Sequence, residues 1–174
     1  MPPLARCQTC QYPRTMESSM HRILVSEIMS APVITIDPDA LAVDAAELME
    51  GNNVRRVIVT DQDGHMCGIV TDADVLEAET AESVASRYDP DVDKEWLTVR
   101  DVMTADVVAV GPEASIGQLV EKMMETKIGG IPVVQAADEG WGKLLPIGIV
   151  TETDIFRLIS EAWRADEASG TADQ

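Results

Sequence analysis

Apolar residues recur along this chain in two rhythms. Leu41, Ala45, Leu48 and Met49, and again Ile116, Leu119, Val120, Met123 and Met124, keep helical spacing and predict two amphipathic helices with one buried stripe each. Before each helix stands a run rich in β-branched residues, Val33–Ile36 and Val107–Val110, which predicts a short strand. These runs end at Asp37-Pro38 and Gly111-Pro112, and the prolines stand where a helix can begin, because a first-turn N–H needs no partner within the helix. Two further strands follow each helix: VRRVIV to MCGIV, turning at Asp63-Gly64, and IPVV to LPIGIV. A last helix is predicted directly after Thr71 and after Thr151. A short amphipathic turn, VSEIM or VRDVM, precedes each set.

The two sets are one unit written twice. A shift of 74 positions carries Val25, Met29, Val33, Pro38, Ala40, Glu47, Met49 and Val59 onto Val99, Met103, Val107, Pro112, Ala114, Glu121, Met123 and Val133. Beyond that the shift becomes 80, and Gly68–Thr71 and Asp74 fall on Gly148–Thr151 and Asp154. A register broken once is the mark of a longer hairpin loop, QAADEGWGKLLP in place of DQDGHMC. Three short strands and two amphipathic helices cannot close a core alone, whereas two copies packed together can. The expected fold is therefore α/β (α+β): two β-α-β-β-α repeats related by a pseudo-two-fold axis, packed sheet to sheet with helices outside. The expected layout is a disordered N-terminal extension over 1–22, repeat 1 over 23–80, an acidic linker over 81–96, repeat 2 over 97–163 and a flexible acidic tail over 164–174.

Composition narrows the function. At 45% hydrophobic but 3% aromatic, the core must be built from aliphatic side chains and Met. The net charge of −18 repels phosphate backbones, so nucleic acid is not an expected partner. No apolar run is long enough for a membrane span, and no secretion signal opens the chain, so a cytoplasmic location is expected. The acidic, Lys-poor surface suits high ionic strength and predicts a melting temperature that rises between low and molar KCl. Cys7 and Cys10 form a CxxC without the further ligands zinc requires. Asp89, Asp91 and Asp93 imitate the start of a calcium loop, but Lys94 and Arg100 stand where that loop needs Gly and Glu. The linker instead reads as a solvated connector, with a short helix over AESVASR. His21 and His65 have no catalytic companion in the sequence, and no catalytic residues or metal ligands are assigned.

The candidate chemistry lies in the repeated octet, GIVTDADV and GIVTETDI. Gly68 and Gly148 admit a close approach to the backbone. Thr71 and Thr151 are placed to cap the following helix, and Asp72 and Glu152 suit its positive end. Asp74 and Asp154 have two readings, as favourable first-turn charges or as acceptors for a ribose diol beside an anion-attracting helix end. Arg55 and Arg56 would supply the cation for a phosphate, or neutralise acidic neighbours; Gly129-Gly130 holds the matching place in the second copy. The two clefts should therefore differ, the one served by the arginines preferring phosphates.

In order and in both copies, V-x-[DE]-[IV]-M-[ST]…P-x-A…[IV]-x-V-[IV]-V…G-I-V-T-x-x-D resembles the cystathionine β-synthase (CBS) domain over 25–79 and 99–161. Two in tandem resemble the CBS pair, or Bateman module. The resemblance implies a stand-alone, non-enzymatic sensor for AMP, ADP, ATP or S-adenosylmethionine, with Mg2+ if ATP is bound, and sometimes for NAD-type dinucleotides. It implies a homodimer and a separate effector protein that reads a ligand-dependent change of conformation. Carried over by position, Asp74 and Asp154 would hold ribose hydroxyls, Thr71 and Thr151 would flank the ribose-phosphate, and Ile69 and Ile149 would touch the base. Arg55 would reach phosphate, and strand alternation turns only one of Arg55 and Arg56 toward the cleft; Thr35, Val57 and Ile131 would complete the walls. Ile58 departs from the proline that Pro132 keeps, Ala109 removes the hydroxyl of Thr35, and Gly129-Gly130 lacks the basic residue. Asp74 is the first choice for ribose. The rival reading is an assembly module that dimerises through the same fold, its clefts vestigial.

Overall fold

A computed structural model describes residues 20–78, 80, 97–137 and 142–170. The CxxC, the AESVASR segment and the Asp89–Asp93 run lie outside the described residues. A 3-10 turn over Met20–Arg22 leads into α1 (Val25–Ile28), β1 (Thr35–Ile36), α2 (Ala42–Asn52), β2 (Arg56–Thr60), β3 (Met66–Thr71) and α3 (72–78). The second copy follows with α4 (Val99–Val102), α5 (Ile116–Thr126), β4 (Gly130–Ala136), β5 (Leu144–Thr151) and α6 (Glu152–Gly170). The last helix runs on to Gly170, and the final four residues of the expected tail lie outside the described residues.

One sheet runs β1-β2-β3, with β1 parallel to β2 and β3 antiparallel to it; the other pairs β4 with β5. The strand expected over Val107–Val110 shrinks to a single parallel bridge, Val110 to Val133. Backbone chemistry explains the loss. Ile58 donates its N–H to the Ile34 carbonyl at 3.1 Å, but its counterpart is Pro132, which has no N–H to give. The helices also begin later than expected, at Ala42 and Ile116. Pro38 and Pro112 sit in the preceding turns, where their carbonyls accept from Arg100 (2.9 Å) and Ser26 (3.1 Å). α2 and α5 both end on a left-handed residue, Asn53 (φ 53°) and Lys127 (φ 57°).

Alternation along the strands divides the interior. Val57, Val59 and Val70 face a core with Ala42, Ala45, Met49 and Val75; Ile131, Val133 and Val150 face a second core with Ile116, Leu119 and Met123. Ile58 and Pro132 point the other way and are also fully buried.

Each opening turn belongs to the other repeat's core. Val25, Ile28 and Met29 pack with the second core, and Val99, Val102 and Met103 with the first. Backbone bonds mirror the exchange: Val25 N–H to the Ala114 carbonyl and Val99 N–H to the Ala40 carbonyl, each 2.8 Å. Farther on, Ser30 exchanges two bonds with Ile149 (2.9 and 3.0 Å), as Thr104 does with Ile69 (2.9 and 3.0 Å). The glycines of the octets lie under these crossings. A Cβ at Gly148 would run into the Met29 side chain, and one at Gly68 would lie 2.6 Å from Met103 Sδ. At the hairpin end, Lys143 Nζ reaches from the β4–β5 loop to His65 Nδ1 (3.2 Å), Asp61 (3.7 Å) and Asp63 (3.8 Å). Its ammonium holds the place a metal ion would take among those three.

Candidate functional site

The Thr-x-x-Asp of each octet is first of all a helix cap. Thr71 donates both its N–H (2.8 Å) and its hydroxyl (2.7 Å) to Asp74 Oδ2, and the Asp74 N–H returns to the hydroxyl at 3.3 Å. Thr151 donates to Asp154 Oδ2 in the same way, at 2.8 Å from each group. Capping consumes one carboxylate oxygen and leaves Oδ1.

The two Oδ1 atoms differ in their surroundings. That of Asp154 accepts from the Ser30 hydroxyl and from Arg157 Nη1, both at 3.3 Å. Asp154 is 5% exposed, the one buried charged side chain among the described residues. That of Asp74 accepts no bond from the described residues, and Asp74 is half-buried.

A cavity of about 580 Å³ opens beside Asp154. Ser30 enters from the exchanged leader, Ile149, Thr151 and Arg157 from the second octet and α6, and Asn53 and Arg56 from the first repeat. Glu50, Arg55 and Glu152 add charge at its rim. Volume and lining suit a nucleoside-sized ligand. A second groove of about 440 Å³, between α5 and α6, is lined chiefly by apolar side chains including Met123, Met124 and Phe156.

Arg56 reaches the cavity because the opposite repeat carries no side chain in its path. Its guanidinium lies over Gly130, where a Cβ would collide with it, and beside Gly129. Burial pushes the Arg56 guanidinium below its ordinary pKa, while Asp72 and Glu152 pull it back up. No carboxylate among the described residues comes within ion-pair distance of Arg56, whereas Arg55 leans on Asp72 at 3.8 Å. Gly129-Gly130, which the sequence shows only as a missing cation, is the space that Arg56 occupies.

The structure thus brings Arg55, Arg56, Ile149, Thr151 and Asp154 together. Ile69, Thr71 and Asp74 stand at the other octet and line neither cavity, and Thr35 is exposed on β1. Val57 and Ile131 are buried in the two cores, on the strand faces that point away from the cleft. Sequence reasoning did not assign Ser30, Asn53 or Arg157 to the site. Ser30 did carry a signal, since Met29-Ser30 repeats as Met103-Thr104.

The description of the CBS domain matches residues 25–81 and 99–161. The chain belongs to the CBS-domain family. Its two CBS domains form the pair, and solved CBS pairs share the fold. The CBS pair of protein MJ0100, solved with 5′-methylthioadenosine and S-adenosyl-L-methionine, is 26% identical with a TM-score of 0.65, over 80% of this chain and 98% of that one. CBSX2, solved with AMP, is 25% identical with a TM-score of 0.62, over 80% and 97%. An uncharacterized protein of Methanocaldococcus jannaschii is 33% identical over 141 residues, 79% of this chain but 32% of that relative. The CBS pair therefore spans about a third of that relative's length. No helix among the described residues is long and apolar enough to cross a membrane.

Proposed function

We propose that this CBS pair is a regulatory module that binds an adenosine nucleotide in the cavity beside Asp154. One observation carries the reading: Arg56, without an ion-pair partner among the described residues, shares a nucleoside-sized cavity with the Thr151–Asp154 cap. Ribose hydroxyls would bond to Asp154 Oδ1, Ile149 would support the base, and Arg56 would meet the phosphate. The adenosine ligands of the two CBS-pair neighbours support the choice of ligand class. ATP would arrive with Mg2+. The Asp74 octet would be the weaker site, because Arg56 lies over Gly130 on the Asp154 side.

Binding would act by population shift. The cavity is built from both repeats, so a ligand that prefers one arrangement of them favours that arrangement. A homodimer mate or a separate cytoplasmic effector would read the change. Titration calorimetry with AMP, ADP, ATP, S-adenosylmethionine and NAD tests the proposal. The expected result is binding of at least one of them, weakened about tenfold or more by Asp154→Ala and by Arg56→Gln. No heat from any of the five would overturn the nucleotide reading and leave the assembly reading standing. Asp74→Ala weakening AMP more than Asp154→Ala would move the principal site to the other octet.

A further inference from the structure

One helical turn beyond each octet's aspartate, the repeats carry opposite charges: Arg157 follows Asp154, and Glu77 follows Asp74. Arg157 Nη1 lies 3.3 Å from Asp154 Oδ1, the oxygen the cap leaves over. The pair is lopsided, because the Arg157 side chain is 60% exposed and that of Asp154 is 5% exposed. Arg157 is the cation in ion-pair contact with this carboxylate, whose Oδ1 it shares with the Ser30 hydroxyl, while the guanidinium can be solvated and can move.

That geometry creates a competition. A ribose diol binding Asp154 must take the oxygen that Arg157 now contacts. Around the cavity, Arg55, Arg56 and Arg157 stand against Glu50, Glu152 and Asp154, so the lining is balanced in formal charge. A hydroxyl that displaces Arg157 releases a second guanidinium beside Arg56. A ligand carrying an anion re-engages it; a neutral nucleoside does not, and a sulfonium adds another cation. With Glu77 in the matching place, the described residues offer the Asp74 octet no such exchange.

We propose that Arg157 is the specificity-determining residue of the Asp154 cleft: it holds Asp154 until a diol arrives, and the ligand's phosphate then takes it up. Selection of anionic over neutral nucleosides follows. This inference rests on the nucleotide reading, and the test separates the two. Calorimetry of the full chain would compare AMP, adenosine and S-adenosylmethionine on wild type, Arg157→Gln and Arg157→Lys.

Wild type should prefer AMP to both others. Arg157→Gln should lose about tenfold for AMP while binding adenosine at least as well as wild type, and Arg157→Lys should fall between. A second measurement needs no variant: the Arg157 Nε–H resonance of the wild-type chain should shift on AMP and exchange faster with water on adenosine. An AMP-to-adenosine ratio unchanged in Arg157→Gln, or an unmoved resonance with AMP bound, overturns this inference alone. Wild type binding none of the three ligands overturns it together with the nucleotide reading.

Discussion

Alanine at Gly148 would test the exchange of opening turns where it is tightest. The new Cβ would run into Met29 Sδ and lie 2.9 Å from Met29 Cγ and 3.1 Å from Met29 Cβ. The far end of Met29 can swing away, but its Cβ cannot, because Ser30 beside it is tied to Ile149 by two backbone bonds. Overpacking of this kind costs about 1–3 kcal/mol. Lifting Ser30 off β5 to relieve it would forfeit two hydrogen bonds, at about 1 kcal/mol each. Against this, alanine restricts the unfolded chain and returns only about 0.4–1 kcal/mol. Lifting Ser30 caps the cost near about 2 kcal/mol, so the expected result is a net loss of about 1–2 kcal/mol in urea unfolding, with an unchanged m-value. Because Met29→Ala removes the Sδ and Cγ atoms in the way, the two substitutions should couple favourably by about 1 kcal/mol or more in a double-mutant cycle. Stability of Gly148→Ala within about 0.5 kcal/mol of wild type, or strictly additive costs, would refute the crossing.

Val25→Ala should destabilise the protein by about 2 kcal/mol, and hydrogen exchange should quicken in β4 and β5 rather than in β2 and β3; the reverse pattern would place α1 on its own repeat. Bonds from the Thr98 hydroxyl and N–H hold the Asp101 carboxyl below its ordinary 3.8, so its stabilisation is complete above that value and is lost as pH falls through the lower folded value. Asp101→Asn should accordingly lower Tm at neutral pH, with the gap to wild type closing in acid; a gap independent of pH would contradict the assignment. Gly130→Ala should expel Arg56 from its place and weaken AMP binding about as much as Arg56→Gln, with adenosine less affected. Equal losses for AMP and adenosine would show that the substitution deforms the cavity instead.

Much of this chain was legible without coordinates because its logic is local. Helical and β rhythms follow from neighbours three, four or two positions apart, and the duplication from a shift in register. Even the octet's Thr-x-x-Asp is a contact across three residues, which is why a cap and a first-turn carboxylate were both readable there. Less visible were effects of one repeat on the other. The reduction of the Val107–Val110 strand to one bridge was encoded in Pro132, but only the register, which sets Pro132 where Ile58 donates, shows that the missing N–H costs a ladder bond.

The sequence by itself determined the two-repeat CBS pair, its aliphatic cores, its caps and the candidate residues of the proposed nucleotide site. Tertiary structure alone decided how those residues combine. VSEIM and VRDVM are nearly the same turn, and an apolar stripe has no direction of its own, so either turn could serve either core until the pseudo-two-fold packing assigned each to the opposite one. The same packing laid Arg56 across Gly130 into the cavity of Asp154, and among the described residues no hydrogen bond or ion pair reaches the second oxygen of Asp74. Charge and spacing name the groups, but which cleft Arg56 enters depends on its contact with Gly130, a residue 74 positions further along the chain.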